Sequence, residues 1–346
     1  MLVRGIVLFA LLAAGCTGFD LPTEEQQDAG DAATGYQQDA GDAATGYVVS
    51  TVAGTGVSGA ADGTAATFSS PTGVAVLPDG SLYVADYGNH KIRKVAVDGS
   101  VITYAGTGKP GLNNGSCAAA IFNHPASIAV DAAGKVYVAD VGNAEVRKIT
   151  TDCQVSTLAG ASTGTAFDGL DGLTVDASGT VYLVNNGNGT IWKVAPGGDF
   201  TLVAGIAGTA GHADGAASIA TFNQPEGIAV DTAGTLYVAE IGNKDVRTIA
   251  GGTVSTLPGA FNSPMDLAVD TNGNVFVADS ANNMVRKISP DGEVTTLAGS
   301  GAQGAMDGPA TQATFNNPQG VAVDSNGIVY VADTYNHKIR KIAPAQ

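Results

Sequence analysis

Apolar residues in this chain come in short runs, and the runs recur in a fixed order between Gly-, Asn- and Asp-rich punctuation. Six stretches align without gaps, beginning at Pro71, Pro125, Leu170, Pro225, Pro264 and Pro318. The first reads "PTGVAVLPDGSLYVADYGNHKIRKV" and the last "PQGVAVDSNGIVYVADTYNHKIRKI". Each predicts a strand a ("GVAV"), a tight "DxxG" turn whose Gly can take positive φ, and a strand b ("LYVAD"). Strand b is apolar at consecutive positions, as a strand covered on both faces must be. A second turn ("xGNx"), a strand c ("KIRKV") and a strand d ("VITYAG", "VSTLAG", "TLVAG") complete the unit. Four antiparallel strands repeating every 40–55 residues define a propeller blade, so the expected fold is all-β, a six-bladed β-propeller.

The sixth unit lacks a strand d, since only four residues follow "KIRKI" at 338–342. One spare strand d, "VVSTVAG" at 48–54, precedes the first unit. Residues 48–53 are therefore expected to close the ring against strand c of the last blade and so cover an edge that would invite aggregation.

The apolar pattern changes at the N-terminus. "MLVR" followed by "GIVLFALLAAG" reads as an export signal rather than as part of the fold. The sequence "LAAGC" resembles the lipobox of bacterial lipoproteins, with Ala13 where the usual Leu stands. That resemblance implies cleavage after Gly15 and lipid on Cys16, and Thr17 implies the outer membrane of the cell envelope; the alternative is an ordinary signal peptide. Residues 26–47 are a tandem duplication of "QQDAGDAATGY", polar and without apolar periodicity, which predicts a disordered spacer. The expected domains are a signal peptide over 1–15, a tether over 16–46 and the propeller over 47–346.

Pro-x-Gly-(Ile/Val)-Ala-Val-Asp, then Val-Tyr-Val-Ala-Asp, then Asn-His-x-Ile-Arg-Lys closely resembles the NHL repeat. The resemblance runs through all six units, and unit three departs most: Leu170 replaces Pro, Asn185 the acidic residue and Trp192 the Arg. It implies a propeller, but the family includes protein- and RNA-binding modules, sugar- or peptide-binding surfaces and metal-dependent lyases, so the fold alone does not choose a function.

Charge narrows the choice. Acidic residues outnumber basic ones 32 to 16, and a net charge of −16 disfavours nucleic acid as a partner. Of the 16 Lys and Arg, 12 lie on strand c, a periodic belt expected to pair with the acidic residues ending strand b (Asp86, Asp140, Glu240, Asp279, Asp333). His90 and His337 are the repeat's own "NH", and His124 and His212 lie in loops, a distribution that does not suit a zinc site.

Positions where the repeats disagree are the candidates for function. After the opening Pro come Thr72, Ala126, Asp171, Glu226, Met265 and Gln319; one place further come Gly73, Ser127, Gly172, Gly227, Asp266 and Gly320. Asp171, Glu226 and Asp266 come from consecutive units and are expected at the channel mouth, where three carboxylates would suit Ca²⁺. Four long loops carrying a "G…DG…A.F" pattern add binding surface. The reading is a lipid-anchored monomer outside the cytoplasm that binds a protein, peptide or saccharide; the alternative is a metal-dependent hydrolase or lyase with its site at the central channel. Cys117 and Cys153 fall in one unit of an exported chain, which invites a disulfide, but loop and turn belong to opposite faces. A bond requires "NNGSCAAAIF" to run down the outside of the blade.

Overall fold

Strand b of each unit sits where its composition demands. Leu82–Asp86, Val136–Asp140, Val275–Asp279 and Val329–Asp333 are buried at every residue, because sheets pack on both of their faces. A computed structural model describes residues 46–164 and 167–345. The expected signal peptide, Cys16 and nearly all of the expected tether lie outside the described residues.

The strands form six antiparallel sheets. Blade 1 runs a (Pro71–Val76), b (Leu82–Asp86), c (Lys91–Val95) and d (Val101–Ala105), and the other blades repeat this order. Each hydrophobic cluster draws on two neighbouring blades. Ala85 and Ile92 of blade 1 pack with Ile128 and Val138 of blade 2, and Tyr330 and Ile339 of blade 6 pack with Val74 and Val84 of blade 1. The core is therefore a ring of interfaces, and it closes on itself. Closure uses the expected segment, one residue longer: Tyr47–Ala53 is strand d of blade 6, antiparallel to Lys338–Pro344, from Tyr47 opposite Pro344 to Ala53 opposite Ile339.

The long loops turn out to be structural. Each runs down the outer edge of its blade and sets a Gly opposite a buried Val of strand d: Gly63 opposite Val101, Gly115 opposite Val155, Gly215 opposite Val254 and Gly308 opposite Val49. In blades 2, 4 and 6 this contact is a short fifth strand (Gly115–Ser116, Gly215–Ala216, Gly308–Pro309). That path brings the loop of blade 2 to its c–d turn, where Cys117 and Cys153 are disulfide-bonded with Cα atoms 5.3 Å apart.

The same loops bury four of the strand-c arginines, so that part of the expected belt lies inside the blades while its lysines stay partly or fully exposed. Arg93, Arg147, Arg247 and Arg340 are 0% exposed. They donate to Asp86, Asp140, Glu240 and Asp333 at 2.6, 2.7, 2.8 and 2.6 Å. Their second contacts are Asp62, Asn114, Asp214 and Asp307, the residues just before the loop glycines. The loop phenylalanines Phe68, Phe122, Phe222 and Phe315 lie 5.0–5.3 Å from the guanidinium carbons. A buried charge is tolerable only when so enclosed by hydrogen-bond partners and a π face. Where the loop is short, the unit changes: Arg286 of blade 5 is partly exposed and 4.0 Å from Asp279, and blade 3 has Trp192 and Asn185 instead.

Candidate functional site

The inner strands a line a central channel with a cavity of about 190 Å³. They approach one another so closely that the residue two after the opening Pro is dictated by packing, which corrects its reading as a variable binding position. A Cβ at Gly73 would lie 2.5 Å from the Ala126 carbonyl oxygen, one at Gly172 2.2 Å from that of Glu226, and one at Gly320 2.0 Å from that of Thr72. The two exceptions bond across the gap instead. Ser127 Oγ accepts from the Leu173 amide at 3.0 Å, and Asp266 Oδ2 accepts from the Val321 amide at 3.1 Å. Asp266 is thus in part a latch between blades 5 and 6.

The position directly after the Pro does carry free chemistry. Asp171 of blade 3 and Glu226 of blade 4 hydrogen-bond to each other. Asn186 donates from its Nδ2 to Glu226 Oε2. Burial pushes the Asp171 carboxyl up to about 6. Burial first, and then the charge of Asp171, raises Glu226 well above the ordinary carboxylate range. Burial also raises Asp266 to about 7, against the pull of its amide donors, with the charge of Asp171 adding to the rise. Two carboxyls in contact hold one proton between them, because two adjacent charges in a desolvated site repel.

Of the expected three, Asp171 and Glu226 are in contact, while Asp266 is coupled to them only through charge. They do not form a ready-made cation cage: among the described residues no group of three His, Cys, Asp or Glu is placed to hold a metal ion. Asp171 and Glu226 are bonded to each other, and Asp266 faces a backbone amide.

Asn186 was missed, although the same criterion finds it. The residue after the strand-b acid also varies between units: Tyr87, Val141, Asn186, Ile241, Ser280 and Thr334. These side chains reach toward the next blade. Thr334 donates to the Pro71 carbonyl at 2.8 Å, Ser280 donates to that of Pro318, and the Tyr87 ring lies 4.6 Å from His124. The mouth is therefore acidic over blades 3 to 5 and neutral, with hydroxyl and aromatic groups, over the rest.

The repeat histidines belong to the scaffold. His90 and His337 occupy left-handed positions at φ 54° and 53°. Through Nδ1 they accept from the amides of His124 and Ser70, each at 3.0 Å. In blade 5 Asn283 Oδ1 does the same for Asn317. Burial and the neighbouring His124 lower the His90 pKa.

The fold and its mouth define a six-bladed β-propeller with a cluster of perturbed carboxyls at the channel. Residues 68–95, 122–149, 261–288 and 315–342 match the family described as NHL repeat. Blades 1, 2, 5 and 6 of the propeller carry the matching motif, which supports a β-propeller of NHL-type repeats. Blades 3 and 4, which hold Asp171 and Glu226, lie outside the match. It is 41% identical over 80 residues to the chloroplastic protein SUPPRESSOR OF QUENCHING 1 of Arabidopsis thaliana, covering 23% of this chain and 8% of that protein. A Bacteroides thetaiotaomicron protein of unknown function superposes with a TM-score of 0.68 at 21% identity, covering 86% of this chain and 76% of that one. A gluconolactonase of Xanthomonas campestris superposes with a TM-score of 0.58 at 15% identity, covering 80% and 87%. At these identities the structural likeness is one of fold.

Proposed function

We propose that the protein is a binding module carried outside the cytoplasm on a lipid at Cys16, and that it takes its ligand at the channel mouth on the loop face. The paired Asp171 and Glu226, half-buried and buried respectively, carry this reading. A propeller does not need acids there: the same position is Thr72, Ala126, Met265 or Gln319 in the other blades. Desolvating carboxyls opposes folding, and such groups concentrate at functional sites. A ligand presenting a cationic group, from a protein, a peptide or an amino sugar, would exchange for the shared proton. Calcium belongs to this class as an oxygen-seeking ion, and its binding at Asp171, Glu226 and Asp266 requires the proton to leave and Asp266 to release the Val321 amide.

Calorimetry with Ca²⁺ and with a polyamine, in two buffers of different ionisation enthalpy, tests the site. Binding with proton release that disappears in Glu226→Gln supports it; no heat with either probe removes it. Fractionation tests the anchor: Cys16→Ser is expected to leave the membrane fraction, and an unchanged distribution removes the lipid from the reading.

A second reading rests on the same shared proton. A hydrogen-bonded acid pair with raised pKa can supply general acid–base catalysis, and the gluconolactonase shares the fold. Turnover of a lactone that is lost in Glu226→Gln would favour a channel enzyme of the hydrolase or lyase type.

A further inference from the structure

One outer strand stands out on the rim. In blades 1, 2, 4 and 6 the strand-d residue paired with the last Val or Ile of strand c lies under a loop glycine, and Val101, Val155, Val254 and Val49 are only 0–3% exposed. In blade 3 the equivalent residue, fixed by its pairing with Val194, is Phe200. The loop entering that blade is short, and Phe200 is 40% exposed. Leu202, on the same face two residues along, is 44% exposed. Behind them lie Trp192, 4.9 Å from Phe200 between ring centroids, and Phe167 at 6.4 Å. Trp192 stands where four other blades hold an enclosed arginine. Strand d of blade 3, Phe200–Ala204, is the edge of a four-stranded sheet, and among the described residues only strand c pairs with it. Blade 5 also has a short loop, but Val294 there is partly buried and is followed by Thr295 and Thr296.

We infer that the outer edge of blade 3 is a docking surface that receives an extended basic segment of a partner protein as a fifth strand. Blades 2, 4 and 6 show that this edge of the repeat accepts an antiparallel strand, because their own loops supply one. Main-chain hydrogen bonds would hold the segment, and apolar side chains at alternate positions would cover Phe200 and Leu202. The preference for a basic partner follows from charge. The chain carries −16, and four of its arginines are fully buried against carboxylates or an amide, so the field outside is strongly negative. Asp199 precedes Phe200, Asp168 follows Phe167, and both are exposed. Lys193 on strand c is the blade's single exposed cation.

Trp192 is the only tryptophan in the chain, so intrinsic fluorescence reports on this edge. The probe is a short peptide alternating lysine with valine, and the control is a peptide of equal charge with proline at its centre. The strand-forming peptide is expected to give a saturable Trp192 change and to protect the 200–204 amides from hydrogen exchange. Phe200→Ser, at an exposed position, is expected to weaken binding at least tenfold, whereas Ile102→Ser on blade 1 leaves it unchanged. The inference is overturned if the proline control binds equally, if Phe200→Ser binds like the parent, if no Trp192 change occurs, or if the protein dimerises through blade 3 on its own.

Discussion

Asp266→Asn separates the cost of the channel carboxyls from their packing. The substitution keeps an oxygen able to accept from the Val321 amide and removes the ionisation. In the folded protein the carboxyl titrates at about 7 instead of 3.8, chiefly because burial disfavours its charge. The folded state therefore holds a proton that the unfolded chain releases. Stability linked to this group is full below about pH 4, falls as pH rises toward 7, and is level above that. A shift of roughly three units at about 1.4 kcal/mol each gives about 4 kcal/mol as the ceiling of this loss. The side chain keeps some exposure at the mouth, so 1–3 kcal/mol is the working expectation, on the order of magnitude such shifts support. Urea unfolding at a series of pH values from 4 to 8 measures it. The difference between Asp266→Asn and the parent is expected to be near zero at the acid end and to favour the variant by that amount at pH 8. A difference that stays flat with pH would refute the claim that Asp266 is held protonated by its surroundings.

Removing residues 47–53 deletes the outer strand of blade 6 and Val49 from its core, so cooperative thermal unfolding is expected to be lost; a melt like that of the intact protein would contradict closure. Arg340→Met leaves Asp333 and Asp307 without their cation and is expected to cost about 3–5 kcal/mol in denaturant unfolding, whereas Arg286→Met, in the looser blade 5, is expected to cost much less. Reduction of Cys117–Cys153, which closes a separation of 36 residues, is expected to lower stability by roughly 3–4 kcal/mol through the unfolded chain's regained freedom, seen as a lower melting temperature in reductant.

The sequence alone determined the architecture, because each blade is built from local pairings between strands joined by short turns. The alternation of apolar runs with "DxxG" and "xGNx" therefore shows both the strands and their count. The orphaned "VVSTVAG" likewise implied closure, since a surplus strand and a missing one have a single simple solution. The convergence of Asp171 and Glu226 was legible too, from variation at one repeat position. Tertiary structure decided what no single repeat can show. That the loops and their Phe residues enclose four of the strand-c arginines depends on a loop folding down the outer edge, and only the packed blade reveals that these four charges are internal. The glycines after the opening Pro looked like free positions because their constraint is the neighbouring blade's backbone, distant in sequence and close in space. The same holds for Asp266, whose partner Val321 lies in the next blade, and for the proton shared at the mouth, which exists because burial and a second carboxyl act at one place.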